Sequence, residues 1–218
     1  MNSNVKLPTN DNDEYGYGLA YKIASEQLAS INDIKNHCLK SDAQYHLKGS
    51  TGIITVDFLN RTYRISLPEI DISLSDSKEE VPIREKLLIL HYIIQSKGTP
   101  LSNKAITYKD IPEGVSYFRT FSKRAIEPMV KHFGSEPDKL PEVAKLLNGF
   151  RVEYGDIAIT VNAFSRIPIT YVLWHSDEEF PSAGNIMFDR NITDYLTVDD
   201  INVLCEITAW RLVKLKYQ

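Results

Sequence analysis

Three successive strand-like segments in the C-terminal half constrain the fold of this chain most. The strand patterns cover residues 150–154, 157–162 and 167–174, and only short turns separate them. A parallel crossover needs about a dozen residues or more, so turns this short favour antiparallel pairing. The sequence therefore predicts a three-stranded antiparallel meander in this region.

A second region with strand periodicity lies in the N-terminal half. Apolar and polar residues alternate from Ile54 to Phe58 and again from Tyr63 to Ile65, on either side of Asn60-Arg61. Two alternating runs around a short turn are typical of a β-hairpin. We therefore predict an N-terminal hairpin within residues 49–67.

Helical periodicity marks the rest of the chain. The helix at 82–97 is apolar nearly all round in its central turns and should be deeply buried. Pro128 should kink or restart its helix, and Thr197 should be the N-cap of the last one. The predicted helices cover residues 17–39, 82–97, 117–133, 140–147 and 198–214.

The order of these segments predicts the fold class and the domain organisation. Helices and hairpins alternate without a regular βα rhythm, which indicates an α+β fold. The polar connector 73–80 is the candidate boundary, but the hairpin before it is too small to fold alone. We therefore expect a disordered N-terminus at residues 1–14 and a single α+β domain at 15–218, with antiparallel sheet packed by several helices.

Charge and hydropathy narrow the classes of partner. The 218 residues carry a formal net charge of -4 at pH 7, which gives no general attraction to nucleic acid or anionic lipid. There is no uninterrupted apolar run of about 18 residues, and the N-terminal segment has no apolar core typical of a signal peptide. We expect a cytoplasmic protein that binds neither nucleic acid nor a membrane.

Cysteine count and motif content argue against the familiar catalytic classes. Cys38 and Cys205 are the only cysteines, too few for a four-thiolate cluster, and Cys205 is expected to be a small buried hydrophobe. The sequence also lacks the standard phosphate-binding, zinc-protease and nucleophile-elbow motifs. These absences favour a non-catalytic protein.

His91 is the first candidate ligand because it lies in the middle of the apolar helix LLILHYIIQ. A neutral imidazole there could coordinate a metal ion or the metal of a haem or corrinoid, and Tyr92 could cover the ring system. Alternatively, His91 is a core histidine bonded to a backbone carbonyl. Sequence alone leaves both interpretations open.

A second candidate site follows the last strand of the meander. His175, Asp177, Glu178 and Glu179 lie close together in sequence, a combination that can bind a divalent cation or tune a proton donor. Phe180 is expected to fold this acidic loop back onto the apolar body. The alternative is a solvated acidic loop.

A basic and aromatic patch is predicted on the helix at 117–133. Arg119, Lys123 and Arg124 accompany Tyr117 and Phe118. Such a face can bind a ligand carboxylate or phosphate, or an acidic partner. It could equally be a solvated face paired with the acidic loop.

Three long segments of the chain carry a family resemblance. They are LLILHYIIQSKGTPLSNKAITYKDIPEG, YFRTFSKRAIEPMVKHFG and RIPITYVLWHSDEEFPSAGNIMFDRNITDYLTVDDINVL. With these segments the chain resembles the prokaryotic domain-of-unknown-function family 3786, over about residues 15–212. The resemblance implies a protein of anaerobic metabolism, since members occur mainly in anaerobes. Some relatives look fused to an iron–sulfur domain, which implies an iron–sulfur or corrinoid protein as partner.

Three functional hypotheses remain. The first is a non-catalytic cofactor-binding or accessory protein, with a tetrapyrrole (corrinoid or haem) bound in an apolar pocket. The second is a small metal-dependent enzyme that uses the acidic loop at 177–179. The third is a protein-interaction or assembly module whose acidic loop docks a basic partner. A homodimer is compatible with the sequence. The residues assigned to cofactor or metal are His91, Tyr92, Tyr117, Phe118, Arg119, Arg124, His175, Asp177 and Glu178.

Overall fold

The structure is a computed structural model that describes residues 11–218, with side chains from residue 16 onward. The predicted disordered segment covers residues 1–14, and its residues 1–10 lie outside the described residues. Helix α1 (Asp11–Ala29) begins at Asp11.

The N-terminal sheet has four antiparallel strands in the order β1-β2-β3-β4. Its central pair, β2 and β3, confirms the predicted hairpin, and buried side chains alternate along β2 as the sequence period requires. Strands β1 and β4 were not predicted. The strands are β1 (Gln44–Lys48), β2 (Thr51–Phe58), β3 (Arg61–Leu67) and β4 (Asp71–Leu74).

The C-terminal sheet has five antiparallel strands in the order β5-β9-β8-β7-β6. The predicted meander is confirmed as β6-β7-β8, and two strands that the sequence did not predict extend it on one side. The strands are β5 (Ala105–Thr107), β6 (Phe150–Val152), β7 (Ile157–Phe164), β8 (Ile167–Trp174) and β9 (Ala183–Asp189).

Most helices lie where the sequence predicts them. A π-helical turn at Ser122–Ile126 joins α4 (Gly114–Phe121) to α5 (Glu127–Phe133), and Pro128 falls in the first turn of α5, where its missing N–H costs least. Within residues 11–218, no helix is both long enough and apolar enough to cross a membrane. The α-helices after residue 80 are α3 (Ile83–Gln95), α4 (Gly114–Phe121), α5 (Glu127–Phe133), α6 (Lys139–Ala144) and α7 (Val198–Lys216).

The single helix predicted at 17–39 is wrong, because the structure has two helices there. Helix α1 ends at Ala29 and α2 (Ile34–Lys40) begins after Asp33. The Asp33 carboxylate accepts a hydrogen bond from the Asn36 backbone N–H at 3.1 Å. An aspartate N-cap starts a new helix. The prediction failed because the apolar periodicity of the sequence continues across the break between the two helices.

Aromatic side chains join the two sheets into one core. Phe164, at the end of β7, stacks on Phe58 of β2 with ring centroids 4.7 Å apart and on Tyr92 of α3 at 4.0 Å. Nearby, the Leu59 N–H donates to the Ala163 carbonyl at 2.9 Å. A single buried cluster contains residues from both sheets, α3 and α7. The predicted single-domain α+β fold is confirmed.

Candidate ligand-binding cleft

The residues predicted to form a site fall into three separate places. His91 and Tyr92 lie on α3, the basic and aromatic patch lies on α4 and the π turn, and the acidic loop follows β8. Among the side chains that the structure describes, no hydrogen bond, ion pair or aromatic contact connects these three places. The same residues contain no group of three or more histidine, cysteine, aspartate or glutamate side chains that could hold a metal ion.

His91 is paired with a carboxylate. Its Nδ1 atom lies 2.7 Å from Oδ1 of Asp200, a buried residue that also caps α7 by accepting the Thr197 hydroxyl proton at 2.7 Å. Burial raises the pKa of Asp200, but the bonds from His91 and Thr197 outweigh it and hold that pKa below its usual value. Because an ionised carboxylate only accepts, Nδ1 carries the proton in this bond, and Nε2 has a lone pair when the imidazole is neutral.

Tyr92 points into the core. Its ring is fully buried against Phe164, and its hydroxyl donates to the Ser41 carbonyl at 2.7 Å. It therefore packs the junction between the sheets and lines none of the surface around His91.

The basic and aromatic patch is solvent-exposed. Tyr117, Arg119 and Arg124 face solvent, while the Lys109 ammonium lies 4.2 Å from the centroid of the Phe118 ring. None of the ion pairs among the described side chains joins this patch to the acidic loop.

The acidic loop forms its own turn. The Asp177 carboxylate accepts the backbone N–H groups of Glu179 at 2.9 Å and Phe180 at 2.7 Å, and the Asp177 N–H donates to the Phe180 carbonyl. Glu178 and Glu179 face solvent. The expectation that Phe180 folds back onto the body is wrong, since its side chain is exposed. These local bonds hold the turn without that contact.

The two cysteines are buried and unpaired, as expected for Cys205. Burial raises the pKa of the Cys38 thiol to about 11 and raises that of Cys205 well above its ordinary value. A thiol in this state is neither a nucleophile nor a ready metal ligand at neutral pH.

A cleft that none of the predicted residues lines opens between the N-terminal sheet and α7. Its volume is about 170 Å³. One wall comes from β3, β4 and the segment leading into α3, and the opposite wall is one face of α7. The apolar part of the lining consists of Tyr63, Leu74, Val81, Pro82, Ile207 and Trp210.

Two buried glutamates fix the walls of this cleft. Glu85 accepts the Tyr63 hydroxyl proton at 2.8 Å and an Arg211 Nη2 bond at 2.5 Å. The Glu206 carboxylate accepts hydrogen bonds from two guanidinium nitrogens of Arg84, at 2.6 and 3.3 Å. Burial, followed by the neighbouring Glu85 charge, raises the pKa of Tyr63 well above its ordinary value. The network ties β3, α3 and α7 together.

Two charged residues of the lining lie outside these ion pairs. Lys214 and Glu80 line the cleft, and neither makes an ion pair with another described side chain. The third ion pair of the lining joins Arg61 to Glu79 at 2.7 Å. The cleft therefore offers one unpaired cation and one unpaired anion beside apolar walls.

Comparison with protein-family models gave a match to this chain. The model of a domain of unknown function (DUF3786) matches residues 33–211. The chain belongs to this family. The matched region contains both sheets and every cleft residue except Lys214. Comparison with curated proteins and with solved structures gave no significant match.

Sequence reasoning missed the cleft of this DUF3786 chain because its walls come from three distant segments. One local signal was available. Glu206 lies among apolar residues of a predicted helix, and a carboxylate buried there requires a partner. Such a charge indicates a buried ion pair without identifying the partner.

Proposed function

We propose that this DUF3786 protein is a non-catalytic binding protein that holds a small zwitterionic molecule with an apolar body in the cleft. The observation that carries the proposal is the unpaired Lys214 and Glu80 beside an apolar lining in which the other charged groups are paired. Free amino acids with apolar side chains have this combination of groups.

The size of the cleft supports a small ligand. Pockets for drug-sized molecules span roughly 300–1,000 Å³, whereas this cleft measures about 170 Å³. A molecule of amino-acid size suits that volume, and a tetrapyrrole is too large to be enclosed by it.

The chemistry of the lining supports binding without catalysis. Lys214 can hold a carboxylate and Glu80 an ammonium group, while Leu74 and Trp210 contact an apolar side chain. The paired network keeps the walls in place before the ligand arrives, which lowers the entropic cost of binding. The lining has no serine, cysteine or histidine that could serve as an activated nucleophile.

Fluorescence of Trp210 provides the test. Replacing Trp174, the other of the two tryptophans, by phenylalanine leaves Trp210 as the reporter in the cleft. We expect leucine, isoleucine, valine and phenylalanine to change its emission. Their N-acetyl and amide derivatives, which each lack one charge, should bind about tenfold more weakly or worse, a loss near 1.4 kcal/mol.

Matched charge variants make this test specific. Lys214→Met and Glu80→Gln should weaken binding of the free amino acids, whereas Lys145→Met and Glu69→Gln, which lie outside the cleft, should not. If no apolar amino acid perturbs Trp210, the proposed function is wrong. If the neutral derivatives bind as tightly as the free amino acids, the zwitterionic ligand class is wrong.

The His91 pair favours a second candidate function, binding of a haem or corrinoid. Metal-bound histidines almost always donate their other ring N–H to a carboxylate or carbonyl, and His91 does so to Asp200 with Nε2 left over. In this candidate the tetrapyrrole lies on the surface around α3. An iron–sulfur or corrinoid protein as partner belongs to the same proposal, as does a cytoplasmic location, which two free thiols favour.

Absorption spectroscopy separates this candidate from the first. Haemin or hydroxocobalamin added to the protein should give a shifted band that His91→Ala removes, while His46→Ala, on the exposed strand β1, keeps it. His175→Ala is measured beside them, because His175 is the other histidine that the sequence assigns to a cofactor or metal. A spectrum that neither His91→Ala nor His175→Ala changes eliminates histidine ligation at both positions.

A further inference from the structure

Three large aromatic side chains are exposed at one end of the C-terminal sheet. Tyr154 is 46%, Trp174 40% and Phe180 66% exposed. Single exposed apolar residues are ordinary, but grouped exposed aromatics mark interaction surfaces. Tyrosine and tryptophan are also the residues that most often dominate binding energy at protein interfaces.

The local backbone places these aromatics at the same end of the sheet. Tyr154 precedes Gly155 in the β6–β7 turn, and a Cβ atom at Gly155 would lie 3.2 Å from the Trp174 ring. The Asp156 carboxylate accepts the His175 backbone N–H at 2.7 Å, which fixes the same turn to the end of β8. Phe180 lies in the turn that follows. The aromatic side chains are therefore carried by two neighbouring segments, the β6–β7 turn and the turn that follows β8.

Carboxylates lie next to the aromatics in the chain. Those near them in the chain are all exposed, and none makes an ion pair with another described side chain. Arg151 is the cation beside them in the β6–β7 region. The local potential is therefore negative. The carboxylates are Glu153, Asp156, Asp177, Glu178 and Glu179.

We propose that this aromatic and acidic surface docks a basic, arginine-containing segment of a partner protein. A guanidinium group stacks on the faces of tryptophan and tyrosine and pairs with carboxylates through two parallel bonds. Exposed aromatic rings and exposed carboxylates both belong to this surface. Its negative charge repels nucleic acid and anionic lipid, and a purely apolar partner would leave the carboxylates without a counter-charge.

This surface is independent of the ligand-binding cleft. No residue lines both, because the cleft lies between the N-terminal sheet and α7. A failure of ligand binding in the cleft therefore has no bearing on docking here.

Fluorescence anisotropy with a labelled, short arginine-rich peptide tests the proposal on the full chain. We expect binding that weakens as salt rises, weaker binding of the equivalent lysine peptide, and no binding of a glutamate peptide. Phe180→Ala, and separately Glu178→Gln with Glu179→Gln, should each weaken arginine-peptide binding about tenfold or more. These side chains are exposed, so both variants should keep the wild-type melting temperature.

Controls elsewhere on the surface distinguish docking from general attraction. Glu26→Gln with Glu69→Gln removes two exposed carboxylates outside this surface, and Leu39→Ala removes an exposed apolar side chain. All should bind the peptide as the wild type does. Equal weakening by these controls, or no peptide binding at all, would overturn the proposal. So would a dimer in sedimentation experiments that Phe180→Ala dissociates, because the occupant would then be a second copy.

Discussion

Arg211→Ala should lower the free energy of unfolding by about 3–5 kcal/mol, the cost of leaving a buried charge without its ionic partner. Glu85 is buried, and without Arg211 its carboxylate keeps only the Tyr63 hydroxyl bond. Urea denaturation at neutral pH measures the loss. It is expected to be large because both members of the pair lie in the interior wall of the cleft.

Two further variants distinguish the cost of an unpaired buried charge from the cost of a lost contact. Arg61→Ala breaks the surface pair with Glu79 and should cost less than about 1 kcal/mol. Replacing both members, Arg211→Met with Glu85→Leu, should recover much of the loss, because apolar residues of similar volume often substitute for a buried ion pair. A cost for Arg211→Ala as small as that of Arg61→Ala would show that water reaches Glu85.

Local periodicity accounts for the parts of the fold that the sequence predicted. Strands β2 and β3 alternate inside and outside residues, and helix α3 buries most of its residues. The N-cap prediction for α7 is also confirmed, because the Thr197 hydroxyl accepts the Asp200 N–H at 3.2 Å. Each of these features depends on neighbours within a few positions in the chain.

The missed strands depend on distant partners. Strand β9 (AGNIMFD) has no clear alternation, and it becomes a strand by pairing with β8, with Ile186 opposite Tyr171. Strand β5 has three residues and pairs only with β9. Strand β1 is mostly exposed and polar. Propensity is weak in such segments, so tertiary pairing decides their conformation.

The candidate site was harder to predict for a related reason. The sequence drew attention to histidines and to clusters of like charge, whereas the cleft combines single charges from separate elements. Lys214 and Glu80 are ordinary surface residues in the sequence. Only the fold reveals that they flank the same apolar cavity and that the neighbouring charges are already paired.

Phe164→Ala should be as destabilising as Arg211→Ala, with a loss of about 3–5 kcal/mol typical of a large buried aromatic replaced by alanine. Phe164 is buried between Phe58 of the N-terminal sheet and Tyr92 of α3. Truncation removes both stacking contacts and leaves a cavity where the two sheets meet. Urea denaturation again measures the effect.

The same variant tests whether the two sheets unfold as one unit. In a Trp210→Phe background, Trp174 is the remaining tryptophan and its fluorescence reports on the C-terminal sheet, while hydrogen exchange of the β2 amides reports on the N-terminal sheet. Because both sheets share one core, Phe164→Ala should lower the free energy of unfolding by the same amount whether it is measured by fluorescence or by hydrogen exchange. Phe150→Ala, on the exposed edge strand β6, should shift neither by more than about 0.5 kcal/mol. Separate unfolding transitions for the two sheets would contradict the single domain, because two sheets that share one core unfold together.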